Sequence, residues 1–130
     1  MATVVPVAVA IKSLTPVQQV EWPAVLNAGD GTPINVADYD DITAAFYGTF
    51  GAGGSVSLMG SNDNPAAGAL PTNWFALTAV GGVSALTNTA AGMKKANENP
   101  LWIKPMVTAG DGTTSIDCIV LLRRRNLMRY

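Results

Sequence analysis

The chain has 130 residues, the length of one domain, with enough material for a core that needs no metal or disulfide staple. Hydrophobic residues supply 48% and charged residues only 13%, which excludes a disordered chain and leaves a surface of Gly, Ser, Thr, Asn and Ala, or one covered by a partner. With no histidine and one cysteine, Cys118, an internal disulfide, a Cys/His metal site and any Ser–His or Cys–His nucleophile are excluded as well.

The net charge is −1 but unevenly spread: residues 1–93 hold six acids against one base, and residues 94–130 hold seven bases against three acids. An acidic body with a basic end attracts copies of itself or an acidic partner. A nearly neutral total favours assembly over free solubility.

In chain order, residues 2–11 (ATVVPVAVAI) are apolar, yet no basic run precedes them, Pro6 interrupts them, and they are too short to span a bilayer. Val5, Val7, Val9 and Ile11 read as one face of an opening strand, so residues 1–15 are expected to form an N-terminal arm or strand. A second extended run passes through Val17, Val20, Trp22 and Val25, with Pro23 marking a bulge or an edge. Ile34 and Val36 follow the first AGDGT, at 28–32. Ile42, Ala44 and Phe46 then share a strand face over 41–47, and Val56 and Leu58 do so over 55–60. Residues 61–71 are a loop by composition, and 74–77 a short strand. The stretch 89–97 (TAAGMKKAN) is the best candidate for a helical turn. Runs 101–107 and 115–122 are expected to pair as a terminal hairpin across the second AGDGT, at 109–113. The prediction is all-β: one domain over 1–130, a β-sandwich (jelly-roll-like) or small barrel with at most one short helical turn.

The two AGDGT copies read as turns, since Asp-Gly tolerates the positive φ of a hairpin, and neither copy carries the further oxygen ligands and closing Glu of a calcium loop. The stretch GTFGAGG (48–54) lacks the Lys-Ser/Thr of a phosphate loop and runs into strand, so it reads as a glycine-rich turn. Asp40 and Asp41 alternate across a strand and make a solvated start to it rather than a catalytic pair. Cys118, between Ile116 and Val120, reads as a buried inert thiol. The tryptophans Trp22, Trp74 and Trp102 read as core or interface, with a sugar-binding platform as the rival. Arg123, Arg124, Arg125 and Arg129 are half of all basic residues. An interface with a neighbour's carboxylates ranks first for them, a solvated strand end second and nucleic acid third.

The strings YDD (39–41), GTFGAGGSVSLMGSND (48–63), NWFALT (73–78), TAAG (89–92) and NPLWIKPMVTAGDGTTSIDCIVLLRRR (99–125) resemble those of small structural proteins of tailed-bacteriophage virions, of the head decoration or cement type. The resemblance implies a protein without enzymatic activity or cofactor, assembled in the host bacterial cytoplasm onto the capsid surface. It implies the major capsid protein and further copies of itself as partners, with no nucleic acid, membrane or small-molecule substrate. A neck or tail component, or a carbohydrate-binding module of a host-recognition apparatus, is the alternative. Arg123, Arg124, Arg125, Arg129, Val5, Val7, Val9 and Trp102 are the expected contact residues.

Overall fold

Alternating apolar and polar residues become strand along most of the chain. The computed structural model describes residues 3–5, 7–10, 17–81 and 85–124, and among these twelve strands form and no helix occurs. The first half contains β1 Thr3–Val4, β2 Val7–Ala10, β3 Val17–Leu26, β4 Asp30–Gly31, β5 Ile34–Asn35 and β6 Asp41–Thr49. The second contains β7 Ser55–Ser61, β8 Phe75–Ala76, β9 Thr87–Asn88, β10 Gly92–Lys95, β11 Trp102–Ala109 and β12 Ser115–Arg123.

Two sheets face each other, so of the two architectures expected the sandwich is the one formed. One sheet has the order β10-β6-β12-β3-β2; the other runs β1-β4-β11-β7-β8, with β5 also against β11 and β9 also against β7. Inward side chains of both close the core: Trp22, Val25, Ile42, Phe46, Ile116 and Val120 from the five-stranded sheet, and Val56, Leu58, Ile103 and Val107 from the other, all essentially inaccessible. Each such side chain contributes about 1.5–3 kcal/mol by leaving water. The faces expected for Ile42, Ala44, Phe46, Val56 and Leu58 are the buried ones. Trp22 is core, its indole N–H donating to Thr32 O at 2.9 Å.

Pro23 does mark a bulge. Between the pairs Ile116↔Val25 and Cys118↔Trp22, β3 carries one residue more than β12. Ala24 takes a left-handed φ of 53° there, and its N–H donates to Asp117 Oδ1 at 2.8 Å.

Three expectations fail. Runs 101–107 and 115–122 do not pair with each other: β11 lies in the seven-stranded sheet and β12 in the five-stranded one. The second AGDGT is therefore an arch between sheets, and so is the first, which carries the chain from β3 to β4. The first copy's Asp-Gly is itself strand, and the left-handed residue there is Ala28 (φ 61°), so no Asp-Gly hairpin turn forms in it. Residues 89–97 hold β10 instead of a helical turn, antiparallel to β6 with Met93 opposite Ala45. So short a stretch cannot nucleate a helix alone, whereas the open edge of β6 offers it a full set of backbone partners.

A third glycine-rich crossing, residues 50–54, joins β6 to β7 at the same end of the sandwich. Asp111 clasps it to the second AGDGT by accepting from Ala52 N–H (2.9 Å), while Thr114 Oγ1 donates to Phe50 O (2.8 Å). The reading of 48–54 as a turn holds for residues 50–54, while Gly48 and Thr49 close β6.

Candidate functional site

Four places gather chemistry on this frame. The first is the corner where β12 ends. Arg123 stands opposite Asp41 in the ladder, and its carbonyl accepts from Asp40 N–H at 3.1 Å. Lys95 reaches Asp41 at 3.4 Å, and the Arg124 guanidinium lies 5.7 Å from the centroid of the Tyr39 ring, whose hydroxyl donates to Gln18 Oε1 at 2.6 Å. Asp40, Asp41, Lys95, Arg123 and Arg124 line one open hollow of about 380 Å³. The expected arginine cluster is thus, as far as Arg123 and Arg124, an exposed corner beside the chain's own acids; Arg125 and Arg129 lie outside the described residues.

The second is the outer face of the seven-stranded sheet. Ile103, Pro105 and Val107 of β11 point inward, so Trp102, Lys104 and Met106 point out. Trp102 is half-buried there, opposite Asn35 and Ser61. Lys104 is nearly covered: its Nζ lies 3.0 Å from Asp30 Oδ2 and 4.7 Å from the centroid of the Trp74 ring, with side-chain exposures of 11% for Lys104 and 16% for Asp30. Trp74 is itself fixed by its indole N–H donating to Pro71 O at 3.1 Å. The ring thus covers an ammonium, a cation–π contact, and is not free as a sugar platform. Sequence reading missed this cluster; its trace is the lone lysine in the apolar run LWIKPM.

The third is an open cleft of about 430 Å³ beside β8, whose lining includes Asn62, Asp63, Asn73, Phe75, Glu98 and Asn99. Phe75, 71% exposed, is the free aromatic here. Asp63 accepts from Thr72 N–H and Asn73 N–H, both at 2.9 Å, and Glu98 accepts from the Thr78 N–H at 2.9 Å and from the Thr78 hydroxyl. Both carboxylates thus hold the strand-poor segment 62–78 in place.

The last is the N-terminal region. Val5 is exposed, while Val7 and Val9 occupy the edge strand β2 opposite Glu21 and Gln19. Ile11 lies outside the described residues.

Hydrogen bonds set the carboxyl pKa values. Those from Asn73 lower that of Asp63, the Thr78 hydroxyl lowers that of Glu98, and the Thr113 hydroxyl followed by Ala52 N–H brings Asp111 to about 2. The unfolded chain therefore binds more protons in acid than the folded one. The stability these groups give is complete above their ordinary values of 3.8 and 4.5 and is lost as pH falls towards about 2. The melting temperature is expected to be level near neutrality and to fall through that window. Asp111→Asn should make the acid limb shallower, and an unchanged limb would contradict the clasp.

Cys118 is fully buried, and desolvation pushes its thiol well above the usual range, as expected of an inert core cysteine. Among the described residues no cluster of three or more His, Cys, Asp or Glu has the geometry to hold a metal ion. No family model, no curated protein and no solved structure matches the chain.

Proposed function

We propose that the chain is a structural protein of a tailed-bacteriophage virion that decorates the head, bridging neighbouring major capsid protein subunits by binding alone. One observation carries the reading: the core is complete, yet large apolar side chains remain outside it. Val5 and Phe75 are 71% exposed, Met93 68% and Val80 54%, on a chain with little charge to keep such a surface wet. The virion-protein resemblance of residues 39–125 supports the same role. Arg123, Arg124, Arg125 and Arg129 supply forked donors for capsid carboxylates, and Val5, Val7, Val9 and Trp102 supply apolar contact. Many weak copies hold through multivalency. The protein works without cofactor or substrate, on the outside of a particle built in the bacterial cytoplasm.

The test is binding of the purified chain to heads of its phage from which it is missing, with occupancy read against salt. The wild type is expected to fill its sites, and the triple change Arg123→Ser, Arg124→Ser, Arg125→Ser to lower occupancy several-fold at low salt and flatten the salt dependence. Heads left bare by the wild type would overturn the reading.

The cleft supports a second reading, a carbohydrate-binding module. A free aromatic ring beside three amides suits stacking on a sugar ring and pairing with its hydroxyls. Glycan-array binding abolished by Phe75→Ala would favour it over decoration.

A further inference from the structure

The middle strand of the five-stranded sheet is apolar on both faces. Residues 118–122 run Cys-Ile-Val-Leu-Leu without a polar interruption, a pattern of strands covered on both sides rather than of an antiparallel sheet wetted on one. Cys118, Val120 and Leu122 face the core. Ile119 and Leu121 face the other way; on that outer face Ala45 stands opposite Ile119 and Met93 opposite Ala45, while Thr43 and Gln19 flank Leu121.

Charge on this face is graded along the strands. Asp117 and Glu21 lie towards the arches, Glu21 being opposite Ile119 in the ladder. Lys95 and Arg123 lie towards the other end, on the rows of Thr43 and Asp41, and Lys95 is paired there with Asp41. An axis in the plane of the face, crossing the strands between the Ile119 and Leu121 rows, turns the face onto itself with its ends exchanged. Ile119 then meets Leu121 of the second copy, and Asp117 of each copy meets Arg123 of the other. A central strand with Ile119 and Leu121 in its middle and Asp117 and Arg123 at its ends is complementary to itself under that rotation.

We infer that the outer face of the five-stranded sheet is a self-association surface, and that its occupant is a second copy of this chain packed sheet on sheet about a twofold axis. At strand spacings of about 4.8 Å and about 3.4 Å per residue, three strands with four outward rows and two edge strands with two cover roughly 500 Å² per copy. Two such faces reach the lower end of specific interfaces, so the pair is expected to dissociate in the micromolar range. The register places Val7 and Val9 opposite Glu21 and Gln19, at the edge of the same sheet. Self-association is tested without a capsid, and it takes Arg123 into the pair while leaving the other arginines to the shell.

Sedimentation velocity on the full chain at tens of micromolar tests it. The wild type is expected to run as a dimer, and Leu121→Asp as a monomer with an unchanged circular dichroism spectrum. Arg123→Glu should weaken the pair about tenfold by setting like charges together, since it faces Asp117, and Asp117→Lys added to it should restore most of the affinity. If Leu121→Asp does not fold, Met93→Glu replaces it, since Met93 lies on an edge strand and outside the core, with the same expected dissociation. A monomeric wild type, a closed trimer, or a dimer that a folded Leu121→Asp or Met93→Glu leaves intact would overturn the inference.

Discussion

Gly31→Ala is expected to lower the melting temperature by about 10 °C or more, while Gly112→Ala should leave it within about 2 °C. The two glycines hold the same place in identical pentapeptides, so local sequence offers no ground for a difference. The ground is tertiary. A Cβ at Gly31 would lie 2.4 Å from Trp22 Cδ1, 2.6 Å from Trp22 Nε1 and 2.7 Å from Pro105 Cδ, and at Gly112 it would meet nothing within 4 Å. The Trp22 indole is fully buried and bonded to Thr32 O, so it cannot swing away without leaving a donor unpaired in the core. Forcing a methyl group into so rigid a contact costs about 3 kcal/mol, at the upper end of ordinary overpacking. Thermal melts of both variants decide it, and equal losses would contradict the different placement of the two arches.

The second large effect is expected at Asp30. Asp30→Ala removes the carboxylate 3.0 Å from Lys104 Nζ and leaves a nearly covered ammonium with, among the described residues, only the Trp74 ring beside it. Breaking a pair this enclosed costs about 3 kcal/mol, most of it the unmatched charge left behind. Adding Lys104→Met should therefore recover most of the loss, because an apolar chain of similar length needs no counter-ion. The Lys95–Asp41 pair is the control: its side chains are 53% and 33% exposed, so Asp41→Ala should change stability by less than about 1 kcal/mol. Denaturant titration of the single and double variants measures all of this. A double variant no more stable than Asp30→Ala would show that Lys104 is held by something other than the pair.

Much of the fold is legible in the residues, because an alternating strand betrays its inner face wherever it lies. Ile42, Ala44, Phe46, Val56 and Leu58 fall inside for that reason. What alternation does not encode is the identity of the pairing strand. A hairpin and an arch both join two alternating strands across a glycine-rich turn, and they differ only in whether the strands meet through hydrogen bonds or through side chains in the core. The runs either side of the second AGDGT therefore looked like a hairpin and are an arch. At residues 92–95 a mild helical preference lost to the free edge of β6, a long-range effect invisible in nine letters.

The site follows the same rule. Arg123 and Arg124 stand out in the sequence, and Cys118 announces its burial through its neighbours. That Arg123 shares a hollow with Asp40, Asp41 and Lys95 depends on ladders joining residues far apart in the chain. Lys104 under Trp74 is of this kind too, since a loop folded over the sheet brings them together.

The measurement that bears most directly on the proposed role is an image of the phage particle at a resolution that traces strands. Two-layered β density fitting this chain is expected on the outside of the shell, where capsid subunits meet, with Arg124 facing carboxylates of the shell. Density for the chain at the portal vertex or in the tail, or a complete particle without it, would contradict the account.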